Sequence, residues 1–214
     1  YAQALFMING TLNVAGTIES PVIFTAANDD TAGGDTDGDG GVPSPGHWKG
    51  IRVEPTGTAR FNHAAVRYGG GPDYAYTEFA NLVNWGGTLE FTNSETSFAA
   101  ESGIKHNAGT TTVTGSKLAH SPVGIFIIAP FVSVTNSVFD TVRAALSIPG
   151  GDYSSDIFTA SGNTYVGSQP PIISISGMNV VGGVTLENSF PYVISGTITV
   201  NQGATLTINP GAII

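Results

Sequence analysis

The densest chemistry in the sequence lies in seven consecutive residues, Asp35-Thr36-Asp37-Gly38-Asp39-Gly40-Gly41. Carboxylates at alternate positions on a tight, Gly-rich turn converge on one point. That arrangement suits a hard cation that takes six to eight oxygen ligands, and D-x-D-x-D-G is the first half of a calcium-loop pattern. The Gly41 carbonyl adds a further oxygen, whereas Gly46 stands where such a loop places its bidentate Glu. Asp29 and Asp30, just upstream, can make up the missing charge. The expectation is Ca2+ shared by Asp35, Asp37 and Asp39 with help from Asp29, Asp30 and Gly41, in a structural role. The opposing reading is an acidic, solvated loop without a metal.

Two other groups of residues invite chemistry. Trp48, Tyr74, Tyr76 and Trp85 bracket the same region and have the flat apolar rings that stack on sugars. Trp48, within "HWKGI", equally suits an anchor that buries its large apolar area against the acidic loop. The run "GTTTVTG" (Gly109–Gly115) invites an ice-binding reading, but Thr110 and Thr112 align with Thr88 and Glu90 on one side and with Phe131 and Ser133 on the other, so that row does not persist. Nucleophilic and metalloprotease signatures are absent: there is no Cys, no G-x-S-x-G and no H-E-x-x-H. His47, His63, His106 and His120 are dispersed. The chain reads as a non-enzyme.

The elements that must position these residues follow from composition and repeat. The 214 residues carry 7 basic and 16 acidic side chains, a net charge of −9 that disfavours nucleic acid and anionic membrane as partners. Hydrophobic residues make up 41%, enough to support a core and exclude disorder. The apolar run "GIFIIAPFV" is too short to cross a membrane and contains Pro130. Three segments align beneath one another: "GTLEFTNSETSFAAESGI" from Gly87, "TTTVTGSKLAHSPVGI" from Thr110 and "FVSVTNSVFDTVRAAL" from Phe131. Phe91, Val113 and Val134 share one column; Ser94, Ser116 and Ser137 a second; Ile104, Ile125 and Leu146 a third. Within each segment apolar and small polar residues alternate, as half-buried strands do, and Gly, Asn and Ser mark the turns. The expected fold is all-β: a right-handed parallel β-helix of 20–22 residues per coil and seven to nine coils. It forms a single domain over 1–214, with insertions at 27–46 and 71–86.

The stretches "GTLNVAGTIESPVIFTAANDDTAGGDTDGDGG", "HWKGIRVEPTGTARFNHAAVRYGG" and "GTITVNQGATLTINPGAII" resemble the right-handed parallel β-helix proteins of bacterial surfaces. The resemblance implies an extracellular or cell-surface location and an architecture shared by lyases, adhesins and passive stalks. A lyase needs acids and a base together on one strand face; Arg52, Arg60, Arg67 and Arg143 are scattered, and no acidic pair recurs beside them.

The sequence begins and ends inside strand-like text. "LTINPGAII" written before "YAQALFMINGTLNVAGT" reads as uninterrupted β-helix, with neither end carrying a polar or helical cap. The expectation is a structural unit of an extracellular filament in which residues 190–214 of one copy dock against residues 1–25 of the next. The contact would use Leu206, Ile208, Ile213 and Ile214 on one side and Tyr1, Leu5, Phe6 and Ile8 on the other. A carbohydrate-binding adhesin module is the second reading, with a polysaccharide as partner, and a polysaccharide lyase the third.

Overall fold

The computed structural model describes residues 4–35, 37, 38, 40–72 and 78–214. Among these residues the regular structure is entirely β, and the strand pairings are all parallel. Among the described residues no helix is long and apolar enough to cross a membrane.

The alternation seen in the sequence is the reason the strands form. In Val132–Thr135 the two valines are buried and the Ser and Thr half-exposed. Ala80–Thr92 and Ser102–Thr114 are long strands that bend partway, the pairing shifting register near Trp85. Three faces result. The first runs Leu5–Ile8, Gly50–Val53, the start of the two long strands, Val123–Ile127, Ala144–Ile148, Ile172–Ile175 and Tyr192–Ile194. The second runs Thr11–Ala15, Thr58–Asn62, the ends of the two long strands, Val132–Thr135 and Phe158–Ser161. The third runs Val22–Phe24, Ala64–Arg67, Glu95–Ser97, Lys117–Ala119, Val138–Asp140 and Thr164–Val166.

The three columns expected from the sequence are hydrogen-bonded neighbours. Phe91 pairs with Val113 and Val113 with Val134; Ile104 pairs with Ile125 and Ile125 with Leu146. All six are essentially sealed from solvent. Each fully buried side chain of this size contributes roughly 1.5–3 kcal/mol, so like-on-like columns stabilise every added strand. From the exposed Phe6 of the first strand to the sealed Phe91, the Phe6, Phe24, Phe61 and Phe91 rings follow one another at centroid spacings of 5.7, 6.1 and 5.7 Å. The first two contacts set ring edge against ring face and the third is tilted, geometries that add to the burial of Phe61 and Phe91.

The Ser column is a second, polar spine. Ser116 Oγ accepts from the Ser94 N–H at 3.1 Å, and Ser137 Oγ accepts from the Ser116 N–H at 3.2 Å. It sits just after a corner where Asn93, Gly115 and Asn136 all have positive φ (49°, 57° and 51°). Asn and Gly tolerate that left-handed conformation, which accounts for their recurrence at this column.

The return is 22 and then 21 residues in the centre but not at the edges of the molecule. Leu5 pairs with Gly50 across the 27–46 excursion. Ile51 pairs with Leu82, which corrects the end of the second insertion: residues 80–86 belong to the strand Ala80–Thr92, with Leu82 in the core, whereas residues 73–77 of that insertion lie outside the described residues. Beyond Ala144–Ile148 the pattern changes. Asp152–Tyr153, Met178–Val180 and Ile198–Val200 form a small sheet, and Gly183–Leu186 pairs with Thr205–Ile208. Phe190 then packs edge-on against Phe139 at 5.4 Å, filling the core below the last third-face strand.

Candidate functional site

The acidic excursion brings part of the expected metal set together. Carboxylate oxygens of Asp30, Asp35 and Asp37 lie within 4.8 Å of one another, Asp30 half-buried and the other two exposed. Ca2+ takes oxygen ligands at about 2.3–2.6 Å, so three oxygens at this separation can share one ion, and the all-oxygen donor set is that of a hard cation. Asp35 Oδ1 also accepts the Gly38 N–H at 2.6 Å, which fixes the tip of the loop. Asp39 lies outside the described residues, and Gly41 sits half-buried in the same loop.

Asp29 does not join this trio. It is 1% exposed and faces the body, with its Oδ2 2.8 Å from Arg67 Nε. The Thr25 hydroxyl donates to it at 2.5 Å and the Thr31 hydroxyl at 2.6 Å. Burial pushes its carboxyl up, but the two hydroxyl donors and the guanidinium outweigh this and hold it below the usual carboxylate range. Asp29 is thus a buried anchor: a charge this deep needs a full set of partners, and they are all on site.

Trp48 completes the same anchor. It is 6% exposed, and its indole N–H donates to the Arg67 carbonyl at 2.8 Å. It is therefore not available to stack on a sugar. Trp85 is exposed on the first face with the Arg52 guanidinium 5.5 Å from its ring centre. Tyr74 and Tyr76 lie outside the described residues. The conspicuous surface ring stack is instead Tyr68, Phe98 and His120, stacked nearly parallel at 5.0 and 4.8 Å. Their spacing of about one return per ring was present in the sequence, but differing residue types hid the column.

Polar groups inside the core were not anticipated. Asn81, Asn84 and His106 are fully buried at positions facing inward. Asn81 Nδ2 donates to the Ser97 carbonyl at 2.8 Å, and its Oδ1 accepts the Gly69 N–H at 2.6 Å. His106 Nε2 lies 2.9 Å from the Pro130 carbonyl, which can only accept, so Nε2 carries the proton and Nδ1 accepts from the Thr111 hydroxyl at 2.8 Å. Thr111 in turn accepts from Asn84 Nδ2 at 3.0 Å. The network pins the bend between the first and second faces. Burial holds the His106 imidazole below its ordinary value, against the opposing pull of the Pro130 carbonyl. The sequence signal was a polar residue in an otherwise Val/Ile column: Val53, Asn84, His106 and Ile127 are register partners.

Four further ion pairs tie basic side chains to carboxylates. Lys105 meets Glu78 at 3.0 Å, Lys117 meets Asp140 at 2.8 Å, Arg60 meets Glu90 at 3.2 Å, and Arg52 Nε donates to Glu54 at 2.6 Å. At the two ends of the strand stack the apolar side chains are uncovered. Phe6 and Met7 are 47% and 48% exposed, with Leu5 and Ile8 half-buried beside them. At the far end Ile208, Ile213 and Ile214 are 50%, 64% and 59% exposed, Val193 is exposed, and Leu206 is half-buried. Tyr1 lies outside the described residues. Comparison with protein-family models, with curated proteins and with solved structures finds no match to this chain.

Proposed function

We propose that this chain is a right-handed parallel β-helix acting as a structural, non-catalytic unit of an extracellular fibre, its ends stacking head to tail. The observation that carries the reading is the apolar exposure at both ends of one parallel strand path: Phe6 and Met7 at the first strand, Val193, Ile213 and Ile214 at the other. Leu5–Ile8 and Tyr192–Ile194 are the two ends of one parallel path, and both present apolar side chains to solvent. An open strand edge is a template for another strand, and natural sheets usually blunt it with charge, proline or a covering element. Phe6, Met7 and Val193 are neither charged nor proline. The Tyr192 N–H already donates to the Ile213 carbonyl at 2.8 Å, so the last residues of the chain lie along part of this edge and present Ile213 and Ile214 outward. A contact between two different ends does not close on itself and grows as a fibre. The pairing of acids with bases across the surface supports a structural role, since these carboxylates serve ion pairs. The extracellular setting rests on the surface-protein resemblance.

Within this reading Asp30, Asp35 and Asp37 hold a structural Ca2+ that stiffens the tip of the excursion, while Asp29 and Arg67 secure its base. Electron microscopy of the purified chain tests the assembly: fibres one molecule wide are expected, and dispersed single particles at high concentration would overturn it.

A further inference from the structure

Away from both ends, a groove of about 430 Å³ crosses the second face. Its floor is a row of outward hydroxyls, Thr112, Ser133 and Thr159, which the register places side by side on three consecutive strands. Phe131 stands at its margin, 67% exposed, and Asp156 closes another part of the lining. The groove thus combines an uncovered apolar ring, neutral hydroxyls that each donate and accept, and one carboxylate; no Lys or Arg lines it.

That chemistry selects its occupant. A ligand must offer an apolar face to Phe131 and hydroxyl groups to the row, and it must not carry negative charge toward Asp156. The hydroxyls repeat at the strand spacing of about 4.8 Å, close to the length of one pyranose residue. A straight sugar chain laid across the strands meets one hydroxyl per residue, whereas a curled chain leaves the row after the first contact. Clefts of this size, mostly apolar with a few convergent polar groups, are the usual form of small-ligand sites. We propose that this groove binds an extended neutral polysaccharide, with one pyranose ring lying against Phe131 and the following residues hydrogen-bonded along Thr112, Ser133 and Thr159. The site is separate from the end-to-end contact, and neither reading depends on the other.

Calorimetric titration with cellohexaose tests it, with maltohexaose as the curled isomer and hexagalacturonate as the charged one. Cellohexaose is expected to bind, and at least tenfold more tightly than either comparator. Phe131 has φ of 79°, a conformation that suits Gly better than a bulky residue. Phe131→Gly should therefore keep or raise the melting midpoint while weakening cellohexaose at least tenfold. Ser133→Val should weaken it severalfold. Absence of cellohexaose binding, equal binding of maltohexaose, or unchanged affinity in the folded Phe131→Gly protein would each overturn the proposal.

Discussion

The Asp29 carboxylate lies 2.8 Å from the Arg67 guanidinium, on a residue only 1% exposed, and this pair closes the base of the acidic excursion onto the third face. Removing one partner of a buried pair leaves the other charge uncompensated. Arg67→Met should cost about 3–5 kcal/mol at neutral pH, measured by chemical denaturation. The acid dependence follows from the lowered Asp29 carboxyl. The unfolded chain binds its proton near pH 3.9, and the folded chain only at a lower value, so this stability is present above pH 3.9 and is lost as pH falls through the folded value. Asp29→Asn should flatten that acid limb. An Arg67→Met protein as stable as the parent would show that the pair does not secure the loop.

His106 gives a second, higher acid limb. Its imidazole is buried and held neutral between Pro130 and Thr111, with its proton affinity depressed by burial. The unfolded His takes a proton near pH 6.5, the folded one only lower, so stability should decline as pH drops below about 6.5 and level off below the folded value. His106→Asn, matching its register partner Asn84, should remove this slope in melting curves taken between pH 7 and pH 4. A slope that survives the substitution would assign it to other groups.

The polar and apolar columns can be compared directly. Ser116→Ala deprives the Ser94 N–H of its acceptor in a site 2% exposed, and should cost about 1–3 kcal/mol. Phe91→Ala empties a sealed position between Phe61 and Val113, and should cost about 3–5 kcal/mol. Urea denaturation of both variants checks the order; a larger loss for Ser116→Ala would reverse the ranking of the two columns.

These columns also mark what the sequence made legible. Phe91, Val113 and Val134, the Ser column, and Ile104, Ile125 and Leu146 were all readable, because parallel strands at a near-constant return put like residues in line. The second excursion, expected at 71–86, overlaps the strand Ala80–Thr92, whose Asn81 and Asn84 are polar yet fully buried, satisfied by backbone groups of other strands. Asp29 was grouped with its acidic neighbours because sequence proximity carries no direction. Its side chain turns inward to Arg67, far along the chain, while Asp30 turns toward Asp35 and Asp37. The Phe131 groove was missed for a similar reason: the Thr112, Ser133 and Thr159 row requires a register across a return of 26 residues, longer than the central repeat.

The acidic trio predicts a modest metal effect. Millimolar Ca2+ should raise the melting midpoint, and a chelator should reverse the rise, by an amount that follows from ligand-linked stabilisation. Asp35→Asn combined with Asp37→Asn should abolish the response while leaving the calcium-free midpoint nearly unchanged, since both residues are exposed. A midpoint indifferent to Ca2+ would return the loop to a solvated acidic turn.

Sedimentation velocity of the purified chain over a wide concentration range tests end-to-end stacking most directly. Met7 and Val193 lie on outward positions of the first and last strands of one parallel path and are 48% and 46% exposed. Lysines placed there should blunt both edges without touching the core. The expected result is a distribution that moves to ever larger species as concentration rises, collapsing to monomer in the Met7→Lys, Val193→Lys double variant. A parent chain that sediments as a single monomeric species at every concentration would contradict the account.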